Sequence, residues 1–262
     1  MNKLLLYILL SAASFEVNGQ VIRIPIPDKL VVLTFDDAPV THFTFVAPLL
    51  KKYGFGATFF VCEFPPNYAD TTRYMTWKQI QALSRMGFDI GNHTRDHKHV
   101  NKLSKQQLNE ELAYIEAKCD SLKISKPVTF AYPGYDTHPL AIETLQERGY
   151  DFARTGGDRP YNPLTDHPYL VPGYTTTKTN SKQIFDAFAD ARQGQIVVLT
   201  IHGVPDYEHD WVTTPPELLV QYLEYLHKNH YKVISMRGLL KYIDPAQARK
   251  DIKPLFTKKE LQ

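Results

Sequence analysis

Cysteine is scarce in this sequence: Cys62 and Cys119 are the only two, so at most one disulfide can form, and buried free thiols are the alternative. Charge of one sign is missing too. The 30 basic and 28 acidic residues are spread along the chain and leave a formal net charge of +2, so no basic stripe argues for nucleic acid. Long apolar runs are also absent. The one near the N-terminus, Leu4 to Ala13, falls short of the roughly 20 residues that cross a bilayer, which argues against stable membrane insertion. No domain-sized linker or compositional break divides the chain. With 43% hydrophobic residues it can bury one large core, and roughly 250 residues suit a single α/β barrel.

The opening "MNKLLLYILLSAASFEVNGQ" has a lysine, an apolar run, and then Val17 and Gly19 at the spacing a signal peptidase accepts. A signal peptide over residues 1–19 follows, and with it export to the periplasm, cell surface or exterior; a retained N-terminal anchor is the alternative. Residues 251–262 form a C-terminal tail whose end, "TKKELQ", reads as solvated.

Between these ends, short apolar runs alternate with helical patterns. The runs are "VVLTF", "ATFFVCEF", "FDIGN", "PVTFAYP", "DFART", "IVVLTIH" and "YKVISM", with "YLVPGY" a weaker eighth. Near-continuous apolar runs suit parallel strands buried on both faces. Thr76 with Gln79, and Ser104 with Gln107, have capping-box spacing, while Gly54, Gly87, Gly149 and Gly194 end helices. Seven or eight such units predict a closed or nearly closed barrel. A doubly wound open sheet is the runner-up, but "VVLTFDDAP" lacks the glycine-rich turn of its nucleotide-binding forms.

Polar residues follow the strands. Asp36 and Asp37 end the first run, His93 and His97 follow the third, and His202 closes "IVVLTIH"; the C-terminal strand ends of a barrel share one mouth. Adjacent carboxylates repel unless something positive lies beside them. The spacing of His93 and His97 predicts two imidazoles on one side of a helical turn. With a carboxylate they make a metal site that leaves positions for water and substrate. It is not the H-E-x-x-H of zinc proteases, because Thr94 occupies the glutamate position. His99, two residues from His97, faces elsewhere on a helix and is expected to be exposed. One aspartate then binds the metal while the other accepts a proton. A turn and helix cap is the alternative use of the pair.

Three motifs, in order and each at a strand end, carry a family resemblance. Thr34-Phe35-Asp36-Asp37 matches T-F-D-D, His93 to His97 matches H-[ST]-x-x-H, and Leu199 to His202 matches L-x-x-H. From about Val31 to Ile243 the chain resembles the polysaccharide deacetylases, carbohydrate esterases of the NodB-homology type. The resemblance implies a distorted (β/α)7-8 barrel over residues 20–250 that removes acetyl groups from a sugar. It implies Asp37, His93 and His97 as ligands of a divalent metal, usually zinc, with Asp36 as general base and His202 as general acid. Leu199 would help form the pocket for the acetyl methyl, and the metal with a backbone N–H would stabilise the oxyanion.

The departures are specific. The family's third motif presents an arginine in an R-P-P-Y-like run; here "FAYPGYD" puts Ala131 at that position and Gly134 where an aromatic residue is common, with Tyr135 next. The D-x-x-x-W element is not identifiable, "GGDRPYNP" occupies its region, Trp211 lies after the last motif, and Ala38 replaces a frequent glycine. A base beside a metal is held by a hydrogen-bonding cation, which Ala131 cannot supply. Arg154 in "DFART" lies near the end of the next strand, which in a barrel runs beside "PVTFAYP". It is predicted to reach Asp36, with Arg159 a second candidate and a surface arginine the alternative. Phe64, Tyr68, Tyr161, Tyr207 and Trp211, in loops at the inferred mouth, offer faces for sugar rings or ordinary loop packing. Gly134, Tyr135 and Trp211 are the substrate-binding candidates beside Leu199. The expected activity is removal of N-acetyl groups from an acetylated amino-sugar glycan. An O-acetyl esterase and a non-catalytic glycan-binding relative are the alternatives.

Overall fold

The computed structural model describes residues 20–256; the expected signal peptide and the end of the expected tail lie outside them. Eight strands follow one another: β1 (Leu30–Phe35), β2 (Thr58–Val61), β3 (Asp89–Asn92), β4 (Thr129–Ala131), β5 (Phe152–Arg154), β6 (Tyr174–Thr175), β7 (Val197–Ile201) and β8 (Lys232–Ile234). The helices are α1 (Ala47–Tyr53), α2 (Trp77–Arg85), α3 (Lys105–Ser121), α4 (Pro139–Glu147), α5 (Ser181–Phe188), α6 (Pro216–Lys228) and α7 (Pro245–Asp251). None of them is long and apolar enough to cross a membrane.

All strand pairings are parallel, in the order β5-β4-β3-β2-β1-β7-β6, with β8 against the first half of β1. The sheet curls into a distorted barrel, as expected from the alternating pattern. The segment between β5 and β7 closes it imperfectly: Val171 bridges Arg154 of β5, and of the predicted strand "YLVPGY" only its last residue, Tyr174, pairs with β7, followed by Thr175 just beyond it. Pro172 supplies no N–H to a ladder, which limits that strand to its end.

Side chains alternate across each strand. On β1, Val31, Leu33 and Phe35 face the helices and pack with Leu50, Ile80, Ile115 and Leu219, whereas Leu30 and Val32 face inward with Phe60, Ala131 and Val198. Both capping boxes form, Thr76 with Gln79 ahead of α2 and Ser104 with Gln107 ahead of α3. Gly54 ends α1 in the left-handed conformation. Cys62 and Cys119 are both buried free thiols.

Candidate metal and catalytic site

The chain turns sharply after β1. Asp36 continues the strand, its N–H donating to Ile201 O at 2.9 Å, but Asp37 and Ala38 both take left-handed φ, 73° and 57°. That conformation explains why glycine suits position 38. It also separates the two carboxylates: Asp36 faces a buried arginine, and Asp37 faces two histidines.

His93 and His97 meet through a loop, not the helical turn expected from their spacing. Thr94 and His97 have φ of 60° and 54°, which no right-handed helix accommodates. The loop is tied down from beneath. Asn92 accepts the Thr94 N–H at 3.0 Å and donates to Leu112 O and Tyr150 Oη, while Glu111 of α3 accepts from the Asp96 N–H and Lys98 Nζ. His93 Nε2 and His97 Nε2 lie 3.2 and 3.3 Å from Asp37 Oδ1, yet that oxygen accepts no well-aligned hydrogen bond.

The donors suit a divalent cation. His93 Nδ1 lies 2.8 Å from Ala131 O and donates to it, so in the neutral ring Nε2 turns its lone pair toward Asp37. Burial pushes the Asp37 carboxyl up, but the close contact with His93 and the charges of His202, His97 and His93 outweigh it and hold the group well below the usual carboxylate range. Burial pushes the His93 imidazole down, and contact with Asp37 and the charge of Asp36 more than reverse this, so its pKa is raised. Burial and the charge of His93 push the His97 imidazole down to about 4, so that ring is neutral and offers a lone pair. A second grouping, Asp37 with Asp206 and His209, is as compact. There the Asp206 oxygens already accept from the N–H groups of Gly203, Glu208 and His209, which makes Asp206 a turn residue.

Asp36 has a different partner. Arg154 is fully buried and donates from Nη2 to Asp36 Oδ2, with its guanidinium 5.6 Å from the ring centres of both Phe60 and Tyr135. Ala131 and Arg154 are register partners on β4 and β5 and so project on the same side of the sheet. The methyl at 131 leaves room for the neighbouring guanidinium. Arg159 instead pairs with Asp166 on the surface. Asp36 Oδ1 is buried without a hydrogen-bond partner, so one oxygen is anchored and the other uncommitted.

His202 completes the mouth at the end of β7. Its Nε2 is 4.0 Å from Asp37 Oδ2, and its carbonyl accepts from His42 Nε2 at 2.9 Å. Burial pushes His42 down to about 4, which keeps that ring neutral. His202 Nδ1 is buried and has no partner among the described residues.

These groups open onto a cavity of about 620 Å³, lined also by Phe64, His99, Tyr132, Gly134, Tyr135, His209 and Trp211. Phe64 lies against His97, ring centres 4.5 Å apart, and Trp211 is 70% exposed. Two expectations need correction. Leu199 faces the helices within the outer core, not the cavity, because the register of β7 against β1 puts it on the same face as Leu33. Tyr161 is buried and bridges Ile196, away from the mouth. Tyr207 is exposed beside a narrower adjoining groove, and Tyr68 packs near Tyr74. His99, expected to be exposed, is half-buried in the cavity wall. His209 and Tyr132 were not anticipated; "YEHDW", polar and aromatic after the last motif, was the available signal for His209.

His93→Ala, His97→Ala and Asp37→Ala are each expected to lower bound divalent metal sharply, since each removes one of three ligands. Elemental analysis of the purified variants measures this, and full metal content in all three would remove the assignment.

The polysaccharide deacetylase family model matches residues 23–153. The peptidoglycan-N-acetylglucosamine deacetylase of Bacillus cereus is 28% identical over 222 residues, covering 84% of this chain and 92% of that protein. A Bacillus subtilis relative is 27% identical over 128 residues, and there the chain spans only 45% of the relative's length. Among solved structures, a family 4 acetyl xylan esterase from Clostridium thermocellum in complex with a cobalt ion is 25% identical, with a TM-score of 0.56 over 84% of this chain and 97% of that one. A family 4 pseudoenzyme from Bacillus anthracis shares the fold at 16% identity, with a TM-score of 0.57 over 84% of this chain and 67% of that one. With the family model matched over half of its length and motifs distant in sequence joined at one barrel mouth, the chain belongs to the polysaccharide deacetylase family.

Proposed function

We propose that this protein is an exported, metal-dependent hydrolase that removes N-acetyl groups from an amino-sugar polysaccharide or oligosaccharide. The observation that carries this reading is the division of labour at the end of β1. Asp37 points at two histidine nitrogens, while Asp36, anchored by Arg154, keeps one oxygen uncommitted at the cavity. A glycan-binding relative without catalysis has no need of both arrangements. The named N-deacetylase of Bacillus cereus, similar over most of both chains, supports the amide reading.

Asp37, His93 and His97 would hold the metal, with zinc the expected ion. A divalent ion bound there supplies Lewis-acid polarisation of the acetyl carbonyl and acidifies water. Asp36 Oδ1 takes the proton from the attacking water as its oxygen bonds to the acetyl carbon. His202 Nε2 then gives a proton to the sugar nitrogen as the C–N bond breaks, leaving acetate and a free amine. Phe64, Tyr135 and Trp211 present faces to the sugar rings.

Removal of O-acetyl groups is the second reading, favoured by the 25% identity to the acetyl xylan esterase. Acetate release from a β-1,4-linked N-acetylglucosamine tetramer and from acetylated xylan separates the two. Faster turnover of the tetramer is expected. Release from xylan alone would replace the amide reading with the ester one.

A further inference from the structure

One wall of the cavity is built by a ring that reaches across from another segment. In the turn Pro133–Tyr135, Gly134 has φ +62, and a Cβ there would lie 2.2 Å from His99 Cε1 and 2.8 Å from each of its ring nitrogens. The His99 imidazole thus occupies the space a side chain at 134 would fill. Its Nδ1 is 2.8 Å from Asp136 Oδ2. An ionised carboxylate only accepts, so Nδ1 carries a ring hydrogen and Nε2 is the nitrogen left to face the cavity. That nitrogen has no hydrogen-bond partner among the described residues. The ring lines the same cavity as Asp36 and His97, edge-on to the His97 ring with centres 6.2 Å apart.

We propose that His99, fixed by Asp136, is a positioning residue for the glycan. Its Nε2 makes a hydrogen bond with a sugar hydroxyl of the bound glycan. This deepens, and rests on, the deacetylase reading above. A ring already oriented by a carboxylate and wedged against a glycine backbone loses little freedom when substrate arrives. The wedge also gives Gly134 a reason: any side chain there evicts the imidazole.

The test uses the N-acetylglucosamine tetramer as probe. Its affinity is measured by calorimetry on the Asp36→Asn protein, so that nothing is hydrolysed, with and without a change at His99. His99→Ala is expected to weaken binding about tenfold, within the reach of one lost hydrogen bond in a shielded site. In the otherwise unaltered enzyme the loss should fall on KM, with kcat little changed. Two further variants separate positioning from bracing. Glutamine places a polar atom near the Nε2 position, whereas asparagine keeps only the donor toward Asp136. Recovery by His99→Gln and not by His99→Asn supports the proposal; recovery by His99→Asn alone reduces the ring to a brace for the turn and overturns it. Undiminished affinity in His99→Ala overturns it too. Absence of tetramer binding by the Asp36→Asn parent overturns the amino-sugar reading, and this proposal with it.

Discussion

Asp36→Asn is expected to lower acetate release roughly 10²- to 10⁴-fold, the usual contribution of a positioned general acid or base, while bound metal stays at the parent level. The amide keeps the shape and an acceptor for Arg154 but cannot take a proton. Asp36 does not face the histidines, so its loss spares their site; Asp37→Asn, by contrast, should cost metal first. His202→Ala should show a loss of similar size with metal retained, because His202 is anchored by its backbone carbonyl to His42 and truncating its side chain leaves that bond in place. Single-turnover acetate release and elemental analysis on the same preparations decide both. Near-normal release by either variant would end its assigned role.

The second large effect concerns the buried cation. Arg154→Met is expected to reduce turnover by at least tenfold and also to destabilise the fold. It leaves the Asp36 carboxylate buried without its partner, a change that typically costs about 3–5 kcal/mol. The two consequences can be separated. Adding Asp36→Asn to Arg154→Met removes the stranded charge and should raise the melting temperature again, since replacing both members of a buried pair is often nearly neutral. Turnover should be no worse than in Asp36→Asn alone, because both residues act through one carboxylate. Arg154→Lys should recover only part of the activity, lacking the guanidinium plane that Phe60 and Tyr135 flank. Wild-type turnover by a folded Arg154→Met protein would leave Asp36 without need of a cation.

Most of the strands were legible because parallel strands buried on both faces are written as apolar runs. The same property hid which way their side chains point. "VVLTI" on β7 is apolar on both faces, so nothing in it told that Leu199 faces helices; that followed only from its register with β1. The relation of Arg154 to Asp36 was readable, because neighbouring β/α units put β5 beside β4 and a small residue at 131 needed a substitute. The loop around His93 was not. A spacing of four fits a helical turn, but two left-handed residues reach the same convergence by another path. The same helical reading turns His99 away from the site, and the Gly134 wedge that positions it joins residues 35 apart in sequence. Tyr161 illustrates the complementary failure: an aromatic residue in a loop segment became core by bridging Ile196.

Metal dependence is the claim on which the rest stands. Protein stripped with a chelator and dialysed should release no acetate from the N-acetylglucosamine tetramer, and one equivalent of a divalent ion per chain should restore release. The His93→Ala protein should stay inactive under the same addition. Undiminished release by stripped protein with no measurable bound metal would contradict the reading of Asp37, His93 and His97.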